Sequence, residues 1–199
     1  IYEPSDGSPY VVASDKIYKT HGEATVAKQR LKKMDVELIE GGEAQDIPLS
    51  NYDLGDLLKK ANIKENNIIR SSSIRMGQDI FKNCGHVIIF HQWHPKEPVG
   101  HWIVAVRNQK NNEIIYFDSL ATPINKVSPY LKDVLLQYQM PTYINQIQYQ
   151  NKDTSTCGRW CLFIIALNKL GYDHVKIYKL LQSLKKEYPS LDDFLLEMF

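Results

Sequence analysis

The chain has 199 residues, of which 43% are hydrophobic, which is enough for one well-filled core and argues against a second full domain. Its 24 Lys and Arg residues almost balance its 23 Asp and Glu residues, so its charge gives no general attraction to nucleic acid or to an anionic membrane. Three cysteines, an odd number, indicate a reducing compartment rather than a disulfide framework. The sequence shows neither a signal-peptide pattern nor an apolar run of membrane-spanning length, and we expect no membrane partner.

The N-terminal region differs in composition from the rest of the chain. Residues 1–19 are rich in Ser, Pro, Asp and Tyr, and residues 20–23 have the spacing of a capping box. A narrow apolar stripe follows and predicts a helix near residues 21–34. We expect an N-terminal arm or helix over residues 1–45 and one compact domain over residues 46–199.

The middle of the chain changes from helical to strand-like patterns. Ser50 begins a helix that we expect to extend to about Ala61. Three β-rich runs follow, at residues 86–90, 101–107 and 113–118. The last two flank a short polar link and predict a hairpin.

The C-terminal third is mostly helical. A helix is predicted from Ser128 to about Tyr138, because a cap residue precedes a proline there. Residues 145–150 alternate like a half-buried strand. Three more helices are predicted, from Cys157 to Gly171, from Asp173 to Glu187, and from Ser190 to the end of the chain.

Cys157 lies where a polar loop becomes a strongly apolar helix. The first turn of a helix carries free N–H groups and the positive end of the helix dipole. Such groups stabilise a thiolate, which is the nucleophilic form of cysteine. Gly158 follows directly and leaves room for the backbone of a substrate to approach. This position predicts a cysteine nucleophile.

The hairpin supplies a candidate base and a candidate carboxylate. If the turn is centred on residues 108–111, His101 and Asp118 face each other, with Cβ atoms roughly 4.5–5.5 Å apart. Asp118 then accepts a hydrogen bond from one imidazole nitrogen, and the other nitrogen is free to act on a thiol. The alternative is a strand-end histidine and a turn aspartate with no joint role.

Gln150 lies seven residues before Cys157 and is a candidate oxyanion donor. Its amide N–H₂ and the backbone N–H of Cys157 could then reach the same carbonyl oxygen. Gln146 and Gln148 share the same alternation face and remain alternatives. A solvated strand glutamine without any role is the other reading.

The ordered set of His-Trp, Asp, Gln and Cys-Gly resembles the adenovirus-type maturation proteases and their relatives, the SUMO-specific proteases. The similarity runs from about Gly100 to Gly171 and continues more weakly back to Leu49. The segment YFDSL at residues 116–120 is similar to the acidic motif in proteases of polinton-type elements and virophages. The seven-residue step before Cys157 resembles the adenoviral arrangement.

This resemblance implies an α+β fold, with a central mixed or antiparallel sheet packed on a buried helix that starts at the nucleophile. It implies Cys157 as the nucleophile, His101 as general base and then acid, and Asp118 as the group that orients His101. Gln150 and the Cys157 amide would hold the oxyanion. Trp102 would line the substrate groove, although a strand tryptophan is as often simple core.

The leading functional prediction is a cysteine endopeptidase that cuts viral capsid or core precursors at glycine-containing sites, without a cofactor. We expect protein substrates, a location in the host cytoplasm or virus factory, and packaging in the virion; an activating peptide is left open. Two alternatives are a protease for ubiquitin-like proteins and an acyltransferase of the same superfamily. A non-enzymatic alternative is a zinc module with Cys84, His91 and His94 as ligands.

Overall fold

The computed structural model describes residues 46–63, 67–94, 96 and 99–199. The predicted arm and helix in residues 1–45 lie outside the described residues. The described part contains a five-stranded sheet in the order β1-β2-β3-β4-β5. Its strands are β1 (Ile68–Arg70), β2 (His86–Gln92), β3 (Gly100–Asn108), β4 (Glu113–Phe117) and β5 (Thr142–Ile144). The two outer pairs are parallel and the two inner pairs are antiparallel, so the sheet is mixed.

Six α-helices surround this sheet in the described part of the chain. They are α1 (Asn51–Lys60), α2 (Ile124–Val127), α3 (Leu131–Leu136), α4 (Cys157–Lys169), α5 (His174–Glu187) and α6 (Leu191–Met198), and a short 3-10 helix spans Ser71–Ser73. The predicted caps Ser50, Asp173 and Ser190 each accept a backbone N–H in the first turn of their helix. In this part of the chain, no helix combines the length and the apolar character needed to cross a membrane.

The sheet separates two apolar layers. One layer contains α4 and the side chains of Val104, Val106 and Ile115, and the other contains Ile103 and Ala105. Every residue of α4 from 157 to 167 is buried. A helix that is apolar all round belongs in the interior, so the sequence places the start of α4 directly against the sheet. The predicted α+β fold, with a mixed sheet packed on this helix, is confirmed.

The turn of the β3–β4 hairpin lies one residue further along the chain than predicted. The ladder pairs Asn108 with Glu113 and Val104 with Phe117, whereas the predicted register would pair Val104 with Ile115. The prediction is therefore wrong by two residues. The shift is even, so the side chains predicted to share a face of the sheet still do so.

Two further predictions are wrong in this region. Residues 145–150 do not form a strand, because the side chain of Asn145 binds the backbone of Asp118 where the ladder with β4 would continue. The short strand β5 lies just before them instead. The helix predicted from Ser128 begins only at Leu131, and the Ser128 hydroxyl accepts the N–H of Tyr130 in the turn between α2 and α3.

Candidate active site

His101 and Asp118 form a buried pair at the end of the hairpin. His101 is the second residue of β3, and Asp118 directly follows β4. His101 Nε2 lies 2.6 Å from Asp118 Oδ1, and the two side chains are 2% and 1% exposed. The same carboxylate accepts the N–H groups of Leu120 at 2.8 Å and Thr122 at 3.1 Å. Asp118 is therefore held as an acceptor that points at the imidazole.

Cys157 is the first residue of α4, is buried, and forms a hydrogen bond with the His101 side chain. Since Nε2 of His101 is engaged by Asp118, Nδ1 is the nitrogen available to the thiol. Burial by itself would lower the pKa of His101. The hydrogen bonds to Asp118 and Cys157, together with the charges of both groups, outweigh it and raise the pKa to about 9.

An indole ring covers one face of His101. The rings of Trp93 and His101 stack with centroids 5.6 Å apart and an angle of 22° between their planes. Trp93 is 48% exposed, so its outer face is open to solvent beside the imidazole. Trp93 was not predicted as a site residue, and its signal in the sequence is a large aromatic side chain just after β2, in a polar connection.

Gln150 is the glutamine that the structure brings to this region. Its side chain is buried, whereas Gln146 and Gln148 are exposed. Gln150 Oε1 accepts the hydroxyl of Ser119 at 2.7 Å, and Nε2 donates to the carbonyl of Thr154 at 2.7 Å. Nε2 carries a second hydrogen, which these contacts leave available for another acceptor. Ser119 was not predicted as a site residue, although it follows Asp118 in the acidic motif.

Trp102 and Gly158 both lie against Leu49, just before α1. Trp102 is buried, packs on Phe90, and donates its indole N–H to the carbonyl of Leu49 at 2.8 Å. A Cβ added at Gly158 would lie 3.2 Å from side-chain atoms of Leu49 and Leu54. On this side of Gly158 the space is filled by Leu49, just before α1, and by Leu54 within α1. Contact of Trp102 or Gly158 with a substrate stays a prediction.

The zinc alternative is contradicted by the geometry. Cys84 precedes β2, and His91 is near the far end of the same strand. Because a strand advances about 3.3 Å per residue, the two side chains lie too far apart to bind one metal ion. His91 Nδ1 instead lies 3.2 Å from the hydroxyl of Ser71. Among the described residues, no three His, Cys, Asp or Glu side chains come together as a metal site would require.

Taken together, these contacts define a class of site. A buried imidazole bonds a fixed carboxylate through one nitrogen and a thiol at the start of a helix through the other. Covalent catalysis by a thiol uses a carboxylate, an imidazole and a cysteine placed in this order.

No family model matches the chain. Over 153 residues it is 27% identical to "Uncharacterized protein V9" of Sputnik virophage, an alignment that covers 67% of this chain and 84% of that protein. Among solved structures it is similar to the ASFV pS273R protease, with 14% identity, a TM-score of 0.49, and coverage of 80% of this chain and 70% of that one.

A second similar structure is the Chlamydia trachomatis effector protein Cdu1 bound to ubiquitin. Its identity is 16% and its TM-score 0.31, over 82% of this chain and 77% of that one. Scores of this size assign no activity to the chain. The resemblance to adenovirus-type proteases stays a prediction.

Proposed function

We propose that the protein is a cysteine endopeptidase with Cys157 as its nucleophile. The observation that carries the proposal is the buried pair of His101 and Asp118, 2.6 Å apart, with the imidazole also bonded to the thiol at the start of α4. A carboxylate on one ring nitrogen fixes the tautomer and orientation of the ring, so the other nitrogen can exchange a proton with the thiol.

The reaction follows from these positions. His101 Nδ1 takes the proton of Cys157, and the thiolate attacks the carbonyl carbon of the scissile peptide bond. The C–N bond then breaks, His101 returns the proton to the leaving amine, and a thioester remains on Cys157. Water activated by His101 hydrolyses the thioester and regenerates the thiol.

Two donors are proposed to stabilise the oxyanion, the backbone N–H of Cys157 and the side-chain amide of Gln150. Each such donor contributes about 3–4 kcal/mol to transition-state binding in a water-excluded site. The contact between Gln150 Oε1 and Ser119 supports this role, because it fixes which end of the amide is the N–H₂ end.

We propose viral capsid or core precursors as substrates, cut at glycine-containing sites in the host cytoplasm or virus factory. Both Cys157 and His101 are buried, and a chain that lacks side chains at the scissile bond enters such a site most easily. The similarity to a virophage protein supports the viral setting. Packaging of the enzyme in the virion is part of the same proposal.

The test is co-expression of the enzyme with candidate precursor proteins and mapping of the cut sites by mass spectrometry. Cys157→Ala should leave the precursor uncut, whereas Cys161→Ala, one turn further along the same helix, should not. Cleavage by the Cys157→Ala variant would end this proposal.

A parallel reaction with ubiquitin-based and SUMO-based C-terminal electrophiles tests the alternative substrate class. If these electrophiles react far faster than a short glycine peptide, the protein is a protease for ubiquitin-like proteins.

A further inference from the structure

Asp192, in the first turn of α6, is a buried carboxylate outside the catalytic group proposed above. It is 1% exposed. It accepts four hydrogen bonds, from the backbone N–H of Asn151, the hydroxyls of Thr154 and Thr156, and the indole N–H of Trp160. Burying a carboxylate is costly unless its oxygens are fully bonded, so these four contacts are a condition for its presence there.

Three of these donors belong to one short loop. Asn151, Thr154 and Thr156 lie between Gln150 and Cys157, the two residues proposed to hold the oxyanion. Thr154 is bonded to Asp192 through its hydroxyl, and its carbonyl accepts the side-chain amide of Gln150 at 2.7 Å. Asp192 therefore fixes the residue that orients Gln150.

Thr156 has an unusual role for a residue in its position. It directly precedes α4, where a threonine hydroxyl commonly accepts an N–H of the first helical turn. Ser50, Asp173 and Ser190 cap their helices in this way. The Thr156 side chain makes no such bond, and its hydroxyl instead donates to Asp192.

We propose that Asp192 is a positioning residue for the reaction at Cys157. It holds the loop between Gln150 and Cys157: through Thr154 it fixes the carbonyl that orients Gln150, and through Thr156 it fixes the residue whose peptide bond supplies the Cys157 N–H. The inference rests on the proposed function. It connects the last helix of the fold to the geometry of the oxyanion site.

Two reactions of the full chain separate this role from simple stabilisation. A peptide aldehyde adds to Cys157 with formation of a C–S bond, and the carbonyl electrons move to the oxygen, which then occupies the oxyanion site. Alkylation by iodoacetamide displaces iodide and forms no oxyanion. Only the first reaction, together with peptide cleavage, should depend on Asp192.

For Asp192→Asn we expect aldehyde affinity and kcat to fall by at least about tenfold. The loss should be smaller than the factor of about 10²–10³ that follows complete removal of an oxyanion donor. KM and the rate of alkylation should stay within about twofold of the wild type. Asp193→Asn, the exposed neighbour, is the matched control and should change neither reaction.

A folded Asp192→Asn protein with unchanged aldehyde affinity would overturn the inference, as would a parallel loss of both reactions. If this variant does not fold, Thr154→Val removes the hydroxyl that lies 3.0 Å from Asp192 Oδ2 and 2.9 Å from the carbonyl oxygen of Asn151. It should weaken aldehyde binding severalfold without slowing alkylation, and an unchanged affinity overturns the inference there too. A wild type that binds no aldehyde and cleaves no peptide would instead contradict the proposed function.

Discussion

The side chain of Asn145 binds both backbone groups of Asp118. Its Oδ1 accepts the N–H of Asp118 at 2.8 Å, and its Nδ2 donates to the carbonyl of Asp118 at 2.6 Å. Nδ2 also donates to the carbonyl of Ile147 at 3.0 Å. The amide thus replaces a strand at the end of β4 and fixes the backbone that carries the carboxylate facing His101.

Asn145→Ala should therefore affect both stability and activity. It leaves the N–H and the carbonyl of Asp118 without these partners, which we expect to lower the free energy of unfolding by about 1–3 kcal/mol. Activity should fall further than the folded fraction, because the carboxylate loses its fixed position. Urea titration and kcat/KM measure the two effects, and Gln146→Ala, an exposed neighbour, is the control. A variant with wild-type kcat/KM would show that the amide does not position Asp118.

The raised pKa of His101 predicts a pH dependence. Asp118 and Cys157 stabilise the protonated form of the His101 ring. The ring should therefore stay protonated up to its pKa of about 9. We expect kcat/KM to fall as the pH rises through this value. Asp118→Asn removes a charge and a hydrogen bond that raise this pKa, and the alkaline limb should move to lower pH.

The stability of the folded protein should depend on the protonation of His101 as well. The pKa of His101 is about 9 in the folded protein and about 6.5 in an unfolded chain, so its contribution is complete below about pH 6.5 and is lost as the pH rises towards 9. Thermal unfolding between these values should show a decrease in Tm that is smaller in Asp118→Asn. An equal decrease in both proteins would contradict this assignment.

Trp93 should stabilise the protonated form of His101. An aromatic face stabilises a nearby cation by about 0.5–1 kcal/mol at a partly exposed site. Trp93→Ala should therefore shift the alkaline limb of kcat/KM down by about half a pH unit, since one pKa unit corresponds to about 1.4 kcal/mol. Trp93→Phe should retain most of the effect. Val99→Ala, exposed on the same connection, should leave the limb in place.

Alanine at position 158 should lower the stability of the protein slightly. Alanine has the higher helix propensity by about 1 kcal/mol, but its Cβ would lie 3.2 Å from Leu49 and Leu54. Overpacking of this kind costs about 1–3 kcal/mol, so we expect a net loss of about 1 kcal/mol in the free energy of unfolding. Gly85→Ala is the control, because nothing lies within 4 Å of its added Cβ. A stabilised Gly158→Ala protein would show that Leu49 and Leu54 shift easily to accommodate the added Cβ.

Local patterns were sufficient for the elements that carry the site. The caps of α1, α5 and α6 and the loop-to-helix transition at Cys157 depend on neighbouring residues and were predicted correctly. His101 pairs with the predicted carboxylate although the predicted register of the hairpin is wrong. The error is two residues, which keeps both side chains on one face of the sheet.

The residues that were missed act over long sequence separations. Asp192 reads as an ordinary acidic residue in the first turn of a helix, where the helix dipole favours it anyway. Its contacts to the loop before Cys157 appear only when α6 packs against α4. Asn145 likewise reads as part of an alternating strand, and only its contact with Asp118 shows why that strand ends.

The most direct test of a base-activated thiol at Cys157 is its rate of alkylation by iodoacetamide at pH 6, located by mass spectrometry. We expect Cys157 to react and Cys161 to stay unmodified, because burial raises the pKa of the Cys161 thiol. His101→Ala should slow the reaction at Cys157 by at least about tenfold. His174→Ala, which removes a different histidine bonded to a carboxylate at 2.7 Å, should not. Equal rates in the wild type and in His101→Ala would contradict the account.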